Sequence, residues 1–173
     1  MSYQYILLEE QNGIATLTLN RPDVLNALSA DMVAEMIDAI ERLDEASATR
    51  VLVITGTGRA FSSGADLAPT SSGGSGGSGG NAVHETHYNR LLTRLVELAC
   101  PVIASVNGPA VGAGCLIALL SDFVIADRST YFLHAFVNIG LVPDFGATWL
   151  LPRLIGPARA TEILMLGEKV PAE

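Results

Sequence analysis

Residues 102–122 read VIASVNGPAVGAGCLIALLSD. Val102 to Val106 is a run of β-branched and apolar residues, the pattern of a buried strand. Asn107-Gly108-Pro109 stops it. Gly112, Ala113 and Gly114 follow, then an apolar run from Cys115 to Leu120 with good helix formers. A strand therefore feeds a turn of small residues, and the turn opens a helix. Such a turn lets a ligand atom approach the main chain, because few Cβ atoms intervene. The free N–H groups at the helix start suit an anion or a developing oxyanion. Close packing of a helix on a sheet would use the same residues, so this stretch by itself leaves both readings open.

Working outward, Val51 to Thr55 is another buried strand, and Phe61-Ser62-Ser63-Gly64-Ala65-Asp66-Leu67 follows it. FSSGADL together with ASVNGPAVGAGC resembles the enoyl-CoA hydratase/isomerase (crotonase) superfamily. The resemblance continues through Asn20-Arg21-Pro22, Asn26-Ala27-Leu28 and Ile139-Gly140-Leu141-Val142-Pro143. It covers nearly the whole chain outside one Gly/Ser insert. The segment GLVPDFGATWLLPRLIG is similar to the 1,2-epoxyphenylacetyl-CoA isomerase-like branch of that superfamily. The fold implied is α/β, a crotonase-like spiral of ββα turns. Pattern alone supports only an α/β chain with a mostly parallel sheet.

At 173 residues the chain is long enough for one domain with a real core. It is 49% hydrophobic, yet no unbroken apolar run reaches the length of a membrane span. The start, MSYQYILLEE, has no basic segment ahead of an apolar one, so no signal peptide is expected, and a cytoplasmic location is. A formal charge of −8 argues against a general nucleic-acid binder. Cys100 and Cys115 sit in apolar surroundings without metal spacing and are expected to be buried, reduced thiols. His84-Glu85-Thr86-His87 lacks the spacing of a zinc helix and reads as solvent-facing. No metal and no separate cofactor are expected.

Tyr5 to Glu10 and Ile14 to Leu19 flank Gln11-Asn12-Gly13, a hairpin signal. Ser29 is a good N-cap for an amphipathic helix in which Met32, Val33, Met36, Ile37, Ile40 and Leu43 recur at helical spacing. The acidic residues opposite them read as a solvated face. A long helix is expected over 83–99, and short strands over 122–126 and 131–133. Pro157 suits a first helical turn before Arg159 to Leu166, and Gly167 suits its stop. Val170-Pro171-Ala172-Glu173 reads as the start of a further helix. Gly73 to Gly80, GGSGGSGG, has the composition of an introduced flexible linker, and 72–80 is taken as such. Because the superfamily usually continues with helices that close the acyl pocket and build trimers or dimers of trimers, residues 1–173 are expected to form the spiral core domain alone.

The resemblance also implies a site. Two main-chain N–H groups, at Ala65 and at Ala113, would hold the carbonyl oxygen of an acyl-CoA or enoyl-CoA thioester, coenzyme A being part of the substrate. Preorganised amides stabilise an enolate without reorganising, and losing one such donor typically costs about 2.7–4 kcal/mol. Gly64 and Gly112 precede those donors. Asn26, Ala27 and Leu28, with Asp66 and Leu67, would line the adenine and pantetheine site. The two glutamates that hydratases use fall at Leu116 and Phe136, neither of which can move a proton. Asp144 matches an aspartate that several relatives use as base or nucleophile. Among Phe136, Phe145 and Trp149 its pKa could rise by desolvation; it would equally serve as an N-cap of a helix starting near Gly146. Leu116, Phe136, Phe145 and Trp149 are the acyl-pocket candidates, and all would also pass as core. Asp122 and Asp127 read as structural. Three readings follow: an isomerase with Asp144 as base, a minimal scaffold whose catalysis is impaired or lost, and a hydratase working without the usual glutamates.

Overall fold

The structure, a computed structural model, describes residues 3–46, 48–67 and 79–173. The first two strands, β1 (Ile6–Gln11) and β2 (Ile14–Leu19), form the hairpin expected around Asn12 and Gly13, which adopt φ of 54° and 80°. That pair of left-handed residues matches the twist of the flanking strands. Helix α1 (Ala30–Ala46) follows, with Ser29 Oγ accepting the Met32 N–H at 3.2 Å. Then come β3 (Val51–Gly56), α2 (Gly79–Glu97), β4 (Val102–Val106), β5 (Ala110–Val111) and α3 (Ala113–Leu120). The chain continues through β6 (Phe123–Ala126), β7 (Tyr131–Leu133), α4 (Ala147–Ile155), α5 (Pro157–Leu166) and β8 (Val170–Pro171).

The strands form two sheets. The larger has the order β1-β2-β3-β4-β6, antiparallel only at the hairpin and parallel elsewhere. The smaller has the order β5-β7-β8, and a bridge from Ser62 to Ala110 lies beside it. Strands destined for the two sheets alternate along the chain, β4 then β5, β6 then β7. This is the winding of a ββα spiral.

One face of the larger sheet carries Ala15, Leu17, Leu19, Leu52, Ile54, Ala104 and Val106, all buried. Met32, Met36, Ile40 and Leu43 of α1 and Leu91 and Leu95 of α2 close over it. Fully burying side chains of this size contributes roughly 1.5–3 kcal/mol each. A second apolar cluster joins Leu116 of α3 to Ala147, Leu150 and Leu151 of α4 and to Ala160 and Leu164 of α5. The site described below lies between these clusters.

Several expectations are corrected. The Val170–Pro171 segment is not a helix start. It is strand β8, paired antiparallel with Tyr131 and Phe132. The partner is some forty residues upstream, and Pro171 sits on an edge strand, where a missing N–H is tolerated. Helix α2 begins at Gly79 and ends at Glu97, rather than covering 83–99. Of the 72–80 segment read as a linker, only Gly79 and Gly80 are among the described residues. The acidic face of α1 is not simply solvated. Glu35 accepts the N–H groups of Gln4, Tyr5 and Ile6 at 2.8–3.2 Å and so anchors β1, while Glu41 pairs with Arg90 and Arg94 of α2. Cys115 is buried, but Cys100 is only half-buried. His84 lies outside the described side chains, and His87 is half-buried rather than solvent-facing.

Candidate active site

Two tight turns meet edge to edge. Ser62 joins them: its N–H donates to Pro109 O and its carbonyl accepts Val111 N–H at 2.9 Å. Gly114 stands so close that a Cβ there would lie 2.5 Å from Ser62 Cβ. Gly64, at φ +93°, is packed so that a Cβ would lie 2.8 Å from Val111 O and 3.5 Å from Ala113 N. Gly64 and Gly114 are therefore required by the approach of one turn to the other, whereas a Cβ on Gly112 would meet only Gly64 Cα at 3.9 Å and it is the φ of +51° that favours glycine there.

That approach aims two N–H groups. Leu28 N–H donates to Gly64 O at 2.8 Å, and Asp66 N–H donates to Leu28 O at 3.0 Å. In a trans peptide the N–H points opposite to the preceding C=O. The Gly64–Ala65 peptide thus turns the Ala65 N–H away from Leu28. Across the junction, Gly112 O accepts Leu116 N–H inside the first turn of α3, so Ala113 N–H points out of the helix start. Among the described residues neither N–H has a main-chain acceptor. Ala113 is buried and Ala65 half-buried. Two amides without a main-chain acceptor among the described residues therefore stand at this junction, one of them at a helix start, an arrangement suited to a negatively charged oxygen.

Residues 9–173 match the sequence profile of the family described as enoyl-CoA hydratase/isomerase. The chain belongs to that family. Among its relatives is the 1,2-epoxyphenylacetyl-CoA isomerase of Escherichia coli K12, 43% identical over 175 residues, covering 98% of this chain and 65% of the relative. Another is the trans-2-decenoyl-[acyl-carrier-protein] isomerase of Streptococcus mutans, 38% identical, covering 100% and 66%. The solved enoyl-CoA hydratase of Bacillus anthracis superposes with a TM-score of 0.89 at 31% identity, covering 98% of this chain and 65% of that one. The chain thus spans about two thirds of the length of these family members. The crotonase resemblance and the α/β spiral core are both borne out. Among the described residues no helix is long and apolar enough to cross a membrane, and no three metal-ligating side chains cluster.

The other residues singled out from the sequence divide into three groups. Asn26 and Leu28 are completely buried. Asn26 Oδ1 accepts Arg21 N–H at 2.8 Å, and its amide donates to Thr57 O and Ala60 O at 2.9 Å each. Leu28 belongs to the core. Their side chains clamp the loop, which leaves main chain as the part of 26–28 that could meet a ligand. Ala27 is buried, with its carbonyl held by Arg21. Arg21 also pairs with Asp66 at 2.9 Å. Leu67, by contrast, is 70% exposed.

Leu116 and Phe136 are buried within the second apolar cluster. They fill space where a pocket wall was expected. Phe145 and Trp149 do line a cavity, of about 270 Å3, with Leu92, Val96, Leu120 and Leu150 between α2 and α4. Leu120 is seven residues along α3 from Ala113, roughly 10 Å at 1.5 Å per residue. Trp149 is exposed, with the Arg153 guanidinium 4.1 Å above its ring. Phe136 and Phe145 lie with their ring centroids 6.4 Å apart.

Asp144 itself is exposed. It is not the N-cap of α4, whose cap is Gly146 at φ +76°; Asp144 contributes its carbonyl, which accepts Ala147 N–H at 2.9 Å. Its carboxylate does lie near the Tyr88 phenol. Burial first, then the charges of Asp66 and Asp144, push the Tyr88 pKa up to about 12. Asp122 and Asp127 are structural as expected, the first accepting Val102 N–H and the second bonding Ser129.

Two buried features escaped the sequence reading. Tyr88 gives no motif signal, because a tyrosine at a core-facing helix position reads as packing. Its hydroxyl donates to Leu28 O, and its ring meets Phe145 edge-on at 4.5 Å. The other is His134, 2% exposed, with Nε2 3.4 Å from Cys115 Sγ and Nδ1 lacking a hydrogen-bond partner among the described residues. Burial pulls the His134 pKa down to about 4 and pushes the Cys115 thiol up to about 12, so both are neutral near pH 7.

Proposed function

We propose that this chain binds an acyl-CoA or enoyl-CoA thioester and shifts the double bond of its acyl group. The thioester oxygen accepts from Ala65 N–H and Ala113 N–H, with Gly64 and Gly112 leaving room for it. Asp144 takes a proton from C2 of a 3-enoyl thioester. The electron pair delocalises into a dienolate whose oxygen is held by the two amides. The protonated Asp144 then returns the proton to C4, which leaves the 2-enoyl isomer. One proton moves, and no electrons are gained or lost overall. The acyl chain runs toward the cavity beside Phe145 and Trp149, and the nucleotide lies over the exposed side of Asp66 and Leu67. No metal or cofactor takes part in this scheme.

The observation that carries the reading is the pair of adjacent N–H groups without main-chain acceptors, 3.5 Å separating Ala113 N from the position of a Cβ on Gly64. Water addition is disfavoured, since Leu116 and Phe136 occupy the glutamate positions. The exposure of Asp144 favours a second reading, a thioester-binding spiral without turnover. Calorimetric titration with a non-reactive acyl-CoA tests the seat, and isomerisation of a 3-enoyl-CoA tests the base. Saturable binding that disappears in Gly112→Val supports the seat. Binding without turnover selects the second reading, and no binding at millimolar ligand by the folded protein removes both.

A further inference from the structure

We propose that Tyr88 is a positioning residue that fixes the Ala65 amide and the Asp144 loop relative to one another. The inference rests on the isomerase reading above for its kinetic consequences, though not for its geometry. Tyr88 is 4% exposed on α2. A phenylalanine would fill that volume equally well, so the hydroxyl calls for a reason. It donates to Leu28 O, a carbonyl that already accepts Asp66 N–H. Leu28 is the residue whose own N–H holds Gly64 O, and that bond sets the plane carrying the Ala65 N–H. The hydroxyl therefore pins the strand that aims one of the two amides.

The other end of the contact is Phe145. Its backbone sits at φ +48°, a conformation that a bulky residue adopts only when its surroundings impose it. Those surroundings are aromatic: the Tyr88 ring at 4.5 Å, edge-on at 76°, and the Phe136 ring at 6.4 Å. If Phe145 relaxes, the peptide that carries Asp144 rotates with it. One side chain thus touches the support of the oxygen seat and the support of the carboxylate. A misplacement of about 1 Å between such groups can cost on the order of 100-fold in rate.

The test compares the wild type with Tyr88→Phe, Phe145→Leu and the double variant. Tyr88→Phe keeps the ring against Phe145 and removes the bond to Leu28 O. We expect kcat for 3-enoyl-CoA isomerisation to fall about tenfold, with KM within about twofold and an unchanged melting temperature, the pattern of a misaligned but intact site. Phe145→Leu should lower kcat further, and the double variant should lose less than the product of the two, since both act through the placement of the Tyr88 side chain. Wild-type kcat in Tyr88→Phe, or losses that multiply in the double variant, would overturn the proposal. Should the wild type show no turnover, the isomerase reading fails and the positional claim is judged by amide resonances. Tyr88→Leu, which removes both the hydroxyl and the ring, must then shift the Ala65 and Gly146 N–H signals together while Gly13 stays fixed. A shift at Ala65 alone, or at neither, rejects it.

Discussion

The two halves of the proposed site are built in opposite ways. The Ala65–Ala113 half is main chain, held by Ser62, Leu28 and the close approach of Gly64 and Gly114, and it is largely buried. The Asp144 half is a side chain on an exposed turn, between Pro143 and the left-handed pair Phe145 and Gly146. A seat for charge needs donors that do not move, and backbone locked between two sheets supplies them. A proton carrier must reach more than one carbon, and an exposed turn leaves it that freedom. The first half is intolerant because any added atom meets another backbone. The second is exposed at its carboxylate, held at Phe145 by aromatic contacts, and depends on the chemistry of its side chain.

The largest break in this contrast is expected at Gly64. Gly64→Val places a branched Cβ 2.8 Å from Val111 O at φ +93°. Acyl-CoA binding should become undetectable by calorimetry, and the unfolding free energy measured in urea should drop by about 2–4 kcal/mol. Retained binding would mean that the two turns do not form the seat. Asp144→Asn is the counterpart on the other side. It keeps shape and removes the base, so kcat should fall by roughly 10²–10⁴ while acyl-CoA affinity stays within a few-fold. An equal loss of affinity would assign Asp144 to binding instead.

A third test separates the halves by pH. His134 packs on Cys115, two residues past Ala113. Its folded pKa, about 4, lies below the ordinary 6.5, so the unfolded chain holds more protons between those values. Stability should be constant above pH 6.5 and fall by about 3 kcal/mol on going down to pH 4, then level off. Phe136, whose ring stacks on His134 at 6.4 Å, does not titrate in that window. His134→Gln should flatten the slope by one proton in urea denaturation across pH 7 to 4. An unaltered slope would place the acid sensitivity among the carboxylates.

The main-chain half was legible in the sequence because its requirement is steric and local. Glycines at 64 and 114, each beside an alanine or serine, announce a close approach even though they do not say to what. The strands β2, β3 and β4 were legible for the same kind of reason, since a buried strand must alternate or run apolar. The other half was not. Whether Asp144 is enclosed depends on where Phe136 and Trp149 point, and they point into the α3–α4 cluster and toward Arg153. Tyr88 is invisible to pattern reading because its partner, Leu28 O, lies sixty residues away. Glu35 looked solvated, since its partners are main-chain N–H groups of β1. Strand β6 lies where a short strand is expected, but its exposure was not legible: Phe123, Val124 and Ile125 are apolar and yet 39–65% exposed.

The smallest effect in the comparison is the most discriminating between its two halves. Gly146 is also left-handed, at φ +76°, but a Cβ there would meet nothing within 4 Å. Only backbone strain opposes a side chain, so Gly146→Ala should cost about 1 kcal/mol. Asparagine visits that conformation more readily than alanine, so Gly146→Asn should recover most of the loss in urea midpoint. At Gly64 the same exchange should recover nothing, because Val111 O stands in the way of any Cβ. If asparagine rescued both positions, the obstacle at Gly64 would be conformational rather than steric. The tight junction between the two turns would then not be what fixes the amides.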